Sequence, residues 1–318
     1  MTRCIALVSS LVLALLTVAA PAQEFPNRTI RIVTSGIGGG SDFVARLVAQ
    51  GIAGSLGQPV IVDNRANSIV AAEFVMRAAP DGYTLMSWGS AMWIGPLLQK
   101  MPYDAVSDFT PVILVSSAPS ILVVHPSLPV KNVKDLIAMA RAKPGELNYA
   151  TGGTGSPAHL SVELFKSMAK LQIVRINYKG GGAAVSGVAT GESQLYFATF
   201  SSLKPWIKSG RLKALAVTSA APFVLAPELP TMVSAGLTGY DVSSADCILA
   251  PAKLPTTILT RLYQDTARYL KTPEAKEKLL GGAGSEVVAG SPEQLAALIK
   301  TEIITMGKVI KDAGIKVE

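Results

Sequence analysis

The stretch Ile30-Arg31-Ile32-Val33-Thr34-Ser35-Gly36-Ile37-Gly38-Gly39-Gly40-Ser41-Asp42 decides how the rest of the chain is read. Its β-branched run Ile30–Thr34 predicts a strand, and Asp42–Leu56 predicts a helix closed by Gly57 and Pro59. Val60–Asp63 then reads as the next strand. Strand, glycine loop, helix and strand in that order make a βαβ unit, which implies a mostly parallel sheet. Glycine permits positive φ and close backbone approach at the turn. The first turn of the following helix leaves N–H groups unpaired at a partly positive end, so such a loop can hold an oxyanion.

The same grammar recurs downstream. Tyr83–Trp88 and Ile121–Val124 read as strands, and Asn132–Lys143 as a helix stopped by Pro144-Gly145. The pattern then restarts. Leu147–Thr151 is a strand, Gly152–Gly155 a second glycine loop, and Ser156–Ala169 a helix with Ser156 as N-cap and Pro157 at its first position. Ile173–Tyr178, Gln194–Phe197 and Leu212–Thr218 supply further strands, separated by the short helices Ala183–Thr190 and Ser202–Ser209. Cys247–Ala250 reads as a strand. The helical stretches Thr256–Lys271, Pro273–Leu280 and Ser291–Ala313 end the chain with no strand pattern for a new sheet, and they are expected to pack on the first lobe. Without a low-complexity tract or long linker, two α/β lobes joined by short crossing segments are the economical account.

Composition narrows the function. A chain of 318 residues, 49% of them hydrophobic, is long enough for two domains, each with a core. The formal net charge of +7 arises without a Lys/Arg-rich run, and 3 Trp and 8 Phe make no stacking stripe. Nucleic acid is therefore not an expected partner. Arg3 precedes an apolar stretch, Ile5–Ala20, and Ala20-Pro21-Ala22 gives a small-x-small cleavage pattern. Residues 1–22 are therefore expected to be a signal peptide cleaved after Ala22, which places the mature protein in the periplasm. Cleavage removes Cys4 and leaves Cys247 alone, so no intrachain disulfide is expected and Cys247 reads as a buried, inert thiol.

The two loops, Ser35–Asp42 and Thr151–Ser156, each follow a strand and open a helix, one in each lobe. A ligand gripped by both would couple binding to closure. Asp42 is expected to cap its helix, since a bare carboxylate beside an anion would repel it. A dinucleotide reading is weighed as well, because Gly36-x-Gly38 opens a helix and Asp63 ends the next strand. Against it, the third small position is Ser41, and nicotinamide cofactors are not generally supplied to exported proteins. Signatures of the α/β-hydrolase elbow, the P-loop and the HExxH zinc site are missing. With only His125 and His159 and one mature cysteine, no metal site and no cofactor are expected. Ser156 and His159 read as a cap and a loop-facing side chain rather than a nucleophile and base. Trp88 and Trp93 flank Gly89-Ser90 and either wall a pocket or pack in the core. Lys179 either pairs with a carboxylate or stays solvated.

Ordered pieces along the mature chain carry a family resemblance. They include Gly38-Gly39-Gly40-Ser41-Asp42, Leu56-Gly57-Gln58-Pro59-Val60, Asp63-Asn64-Arg65, Ala79-Pro80-Asp81-Gly82-Tyr83-Thr84-Leu85 and Pro102-Tyr103-Asp104. They continue through Val123-Val124-His125-Pro126, Leu147-Asn148-Tyr149-Ala150, Gly155-Ser156 with His159-Leu160, Tyr178-Lys179-Gly180 and Leu215-Ala216-Val217-Thr218. In these the sequence resembles the Bug-type (Bordetella uptake gene) extracytoplasmic solute receptors of tripartite tricarboxylate transporters.

The resemblance implies a two-lobe, type II periplasmic-binding-protein α/β fold with a ligand cleft between the lobes. It implies lobe 1 from residues 23–125 and 247–318 and lobe 2 from 126–246. A small carboxylate is implied as ligand and membrane transporter subunits as partners of a monomeric, non-enzymatic protein; a sensing module for a membrane signalling protein is the alternative. Family-like ligand positions are Gly38, Gly39, Gly40, Ser41, Asp42, Asn67, Ser87, Trp88 and Ser90. On the second lobe they are Thr151, Gly152, Gly153, Thr154, Gly155, Ser156, His159, Tyr178, Thr199 and Phe200, with Asp246 at the lobe boundary. Two stretches depart from the family pattern. Arg65-Ala66-Asn67-Ser68-Ile69 lacks a Pro-Gly, and Thr34-Ser35-Gly36-Ile37 lacks the usual proline and aromatic residues. Trp88, Trp93 and Ala66–Ile69 are expected to select among carboxylates.

Overall fold

The computed structural model describes residues 25–38 and 40–315. The expected signal peptide 1–22 with Cys4, the cleavage after Ala22, Gly39 and residues 316–318 lie outside the described residues. The elements alternate as the βαβ grammar predicts. Strands β1 (Ile30–Ser35), β2 (Val60–Arg65) and β3 (Thr84–Gly89) are interleaved with helices α1 (Gly40–Leu56) and α2 (Ser68–Met76), and α3 (Ala91–Leu98) follows β3. β2, β1 and β3 are neighbours in that order and run parallel, with Ile32 opposite both Val62 and Leu85. Ile30 and Ile32 face a core shared with Val44, Val48 and Ile52 of α1, whereas Val33 faces a second core with Ala72 and Trp93. A parallel strand covered on both faces explains why β1 reads as a continuous apolar run rather than an alternating one.

The second half repeats the arrangement. β5 (Asn148–Thr151) lies parallel to β6 (Val174–Asn177) and β7 (Leu195–Thr199), with β8 (Lys213–Val217) joining nearby. Helices α4 (Val133–Ala142), α5 (Pro157–Ala169), α6 (Gly181–Ala189) and α7 (Phe200–Lys208) cover the two faces around separate clusters, one centred on Phe165 and Phe197, the other on Val185 and Val217. The alternation of Ile121 and Val123 with Leu122 and Val124 divides those clusters.

Two strands run between the halves. β4 (Phe109–Val124) is 16 residues long, about 50 Å of extended chain. Its segment Phe109–Pro119 pairs antiparallel with β9 (Ser243–Pro251), and Ser120–Val124 pairs with β7. The sequence reading recovers only Ile121–Val124 of this strand. Pro111 and Pro119 hide the rest, because proline removes a ladder N–H; register shifts between Pro111 and Ile113 and between Leu114 and Ser116 absorb the irregularity.

The C-terminal region corrects a second expectation. After α8 (Thr256–Leu270), α9 (Pro273–Lys278) and a π-helical turn at Leu279–Ala283, a strand does appear. β10 (Glu286–Gly290) pairs antiparallel with β4, Glu286 opposite Ser117. Its register shift and the φ of +49° at Ala289 erase any simple period. The last helix, α10 (Pro292–Asp312), starts at a capping box formed by Ser291 and Gln294. Its Leu295 and Ile299 belong to the Trp93 core, whereas Met306, Val309 and Ile310 belong to the Phe165 core. The helix therefore packs on both halves, not on the first alone.

Two glycines of α1 make a test of this packing. A Cβ on Gly51 would lie 2.1 Å from Cδ1 of Tyr269, whereas one on the exposed Gly54 meets nothing within 4 Å. Gly51→Ala is expected to lower stability by about 1–3 kcal/mol through overpacking. Gly54→Ala is expected to raise it by about 0.5–1 kcal/mol through helix propensity. Urea denaturation of both variants reads the opposite signs.

Candidate functional site

Each βα junction of a parallel sheet delivers a helix N-terminus to the carboxyl edge of the strands. In the first half the junction is the loop from Gly36 (φ +62°) through Gly38 (φ +81°) to α1. Asp42 organises it. Its carboxylate accepts the Gly38 N–H (2.9 Å), the Asn64 side-chain amide (2.8 Å) and Arg46 Nε (3.1 Å), and pairs with Arg46 Nη2 at 3.0 Å. Burial alone would raise its pKa, but the hydrogen bonds from Arg46, Gly38 and Asn64 outweigh that and hold it below the usual value. Asp42 thus serves the loop's own backbone. Gly40 and Ser41 form the first turn of α1, and the Ser41 carbonyl accepts the Ser87 hydroxyl at 2.9 Å.

Neighbouring positions are similarly engaged. Asn67 caps α2 by accepting the Val70 N–H at 3.0 Å. Trp88 and Trp93 are 7% and 1% exposed and packed in one core, with the Trp93 indole N–H donating to Glu302 Oε2 at 2.6 Å. Ser90 Oγ accepts the Ala245 N–H at 3.1 Å and lines a small cavity of about 60 Å³ with Gly155, Leu160 and Glu302. Asp246 accepts a hydrogen bond from Ser116 Oγ at 3.2 Å; burial pushes its carboxyl up to about 6 despite that bond. Cys247 is fully buried, and burial pushes its thiol well above the ordinary value, as an inert cysteine requires.

The second glycine loop is built differently. The Thr151 hydroxyl accepts the Gly153 N–H at 3.1 Å, and Thr154 sits in the turn that follows. Gly155, at φ +74°, donates its N–H to His159 Nδ1 at 3.0 Å. Ser156 caps α5 by accepting the His159 N–H at 3.3 Å. The His159 ring is 2% exposed, stacked near Tyr149, with Arg175 Nη1 3.3 Å and Glu163 Oε1 4.0 Å from Nε2. Burial, then the positive charge of Arg175, pushes its pKa down to about 4. The neutral ring is therefore free to accept the loop amide through Nδ1, and His159 acts on the loop rather than as a base.

Gly152 is locked to another turn. A Cβ there would lie 2.8 Å from the Gly181 nitrogen and 2.9 Å from the Gly180 carbonyl carbon. Gly180 (φ +105°) caps α6 without a side chain, and Thr199 caps α7 without a side-chain bond to the helix amides. The result is a cavity of about 460 Å³ lined by the first turns of three helices: Ser156, Pro157 and Ala158 of α5, Gly181 and Gly182 of α6, and Thr199 and Ser202 around the start of α7. Ser120 of β4 and Ser244 of β9, both from the crossing strands, complete it. Each helix start carries roughly half a positive charge, and none of the three has all its first-turn amides capped.

Among the sequence-derived positions, the structure thus gathers Gly152, Ser156 and Thr199 on this cavity. Gly38, Gly40, Ser41 and Asp42 do not line it. Tyr178 lies against Gly187, its hydroxyl 2.9 Å from Ser193 Oγ, and Phe200 packs edge-on against Phe223 at 6.1 Å. Sequence reasoning missed Gly181, Gly182 and Ser202. The run Gly180-Gly181-Gly182 after a strand was the available signal, since it repeats the pattern of the other two loops.

Comparison with known proteins bears on the chain as a whole. The family described as tripartite tricarboxylate transporter family receptor matches residues 44–315. Protein BugT of Bordetella pertussis is 32% identical, over 100% of this chain and 99% of its own. Among solved structures, R. palustris Rpa4515 with adipate is 36% identical with a TM-score of 0.73, covering 92% of this chain and 99% of that one. MatC (Rpa3494) from Rhodopseudomonas palustris with bound malate is 28% identical with a TM-score of 0.68, covering 90% and 100%.

The His159 geometry carries a pH dependence with a defined sign. The folded ring stays neutral to about pH 4, while the unfolded ring protonates near 6.5. Its contribution is thus complete above pH 6.5 and lost as pH falls through 4, about 3 kcal/mol in all. Denaturation at pH 7 and pH 4 should show the parent protein losing about that much more than His159→Gln; equal losses would contradict the assignment.

Proposed function

Because the chain belongs to the tripartite tricarboxylate transporter receptor family, whose members are periplasmic solute-binding proteins and not enzymes, we propose that it captures a small carboxylate in the 460 Å³ cavity and delivers it to the membrane subunits of a tripartite transporter. The observation that carries this reading is the convergence of α5, α6 and α7, by their N-termini, on one cavity. Helix starts attract anions through unpaired N–H groups and their dipole. Rpa4515 and MatC, solved with adipate and malate, both carboxylates, support the same class of ligand here.

In this reading the backbone of Gly152, the Ser156 cap and the starts of α6 and α7 receive the carboxylate. His159 and Thr151 hold the shape of the second loop. The first loop, through Gly38 and Ser41, meets the ligand when the halves close, with β4 and β9 bending near Ser120 and Ser244. The mature protein begins after cleavage at Ala22 and works in the periplasm.

Isothermal titration of protein stripped of bound solutes by partial unfolding tests this. At least one of a panel of mono-, di- and hydroxycarboxylates should bind. Gly152→Ala should weaken every member that binds by tenfold or more, because its Cβ separates the α5 and α6 turns. An absence of binding across the panel would overturn the reading.

A further inference from the structure

The same cavity also indicates what lies behind the carboxylate, and this step rests on the function proposed above. Its positive ends are all backbone. No residue lining it carries a charged side chain, and its polar side chains are hydroxyls, the phenol of Tyr196 and the indole N–H of Trp206. Away from the helix starts its wall is formed by Val185, Tyr196, Ala198 and Trp206. Trp206 is half-buried on α7, and the exposed Arg211 stacks on its ring at 4.6 Å from the centroid; Arg211 does not itself line the cavity.

In the first half, the helix that opens at the glycine loop carries one basic side chain. Arg46, the basic residue of α1, is held by Asp42 through two nitrogens, and Asp246 adds a carboxyl rather than a cation. A dianion could place one end on the helix starts, but its second carboxylate would lie against the hydrocarbon and indole of this wall, where no lining residue carries a charged side chain, and that is unfavourable. An apolar body would instead bury its surface there. A cavity of this volume falls within the roughly 300–1,000 Å³ of pockets that take ligands much larger than a four-carbon acid.

We propose that the ligand is a monocarboxylate with a hydrocarbon body, its carboxylate on the starts of α5, α6 and α7 and its body against Val185, Tyr196 and Trp206. Adipate and malate, held by Rpa4515 and MatC, carry two carboxylates, so the proposed ligand differs from both at its far end.

Hexanoate and adipate form the discriminating pair, since both have six carbons and differ by one carboxylate. Titration calorimetry of the stripped full-length mature protein should show hexanoate binding at least tenfold more tightly than adipate. Trp206→Ala should weaken hexanoate about tenfold, and Trp206→Phe should restore part of the loss, with unchanged circular dichroism. Adipate binding as tightly as hexanoate, or more tightly, overturns the inference while leaving the carboxylate function intact. Hexanoate affinity indifferent to Trp206→Ala also overturns it. If neither acid nor any other carboxylate binds, the function itself falls. Should Trp206→Ala fail to fold, the hexanoate-to-adipate ratio of the parent protein decides alone.

Discussion

An α-helix cannot satisfy the N–H groups of its own first turn, and a parallel sheet delivers every such turn to the same edge. That constraint organises the second half of this molecule. The order β5-α5, β6-α6, β7-α7 leaves three helix starts beside one another, and their unpaired donors define a region of positive potential without a single basic side chain lining it. Such recognition is stiff, because backbone dipoles do not choose among rotamers as lysine or arginine would.

Close approach of the loops depends on what the loops lack and on what stands behind them. Gly152 meets Gly180 and Gly181 at distances that leave no room for a β-carbon, so the α5 and α6 turns touch through bare backbone. Behind Gly155, the buried neutral imidazole of His159 accepts the loop amide. In the first half a carboxylate does the equivalent work, Asp42 holding Gly38, Asn64 and Arg46. The two loops look alike in sequence, yet one is braced by an ion pair and the other by a ring that must stay uncharged.

The repeated βα units were legible because β-branched runs followed by glycines and a cap give a local signal, and β1, β5 and the Ser156 cap of α5 appear where the residues place them. Features that depend on distant partners were not. The first part of β4 carries Pro111 and Pro119, and it becomes a strand only because β9 pairs with it around the bulges. α3 contains Gly95 and Pro96, and its Met92 and Trp93 are buried in the core with Val33. At the site, the second loop could be read as an anion cradle, but that Gly181 and Thr199 share its cavity follows from strand order, which no local pattern encodes. Trp88 and Trp93 stood at the place where sheets bind ligands, and the pleat and the packing of α10 turned both into core.

The central claim is that the starts of α5, α6 and α7 hold one carboxylate together. The most direct measurement is an amide-resolved NMR titration of the stripped protein with hexanoate. The account predicts that Ala158, Gly182 and Ser202 shift in parallel along one binding curve. Shifts confined to the first loop around Ser41, with the amides of α6 and α7 unmoved, would contradict it.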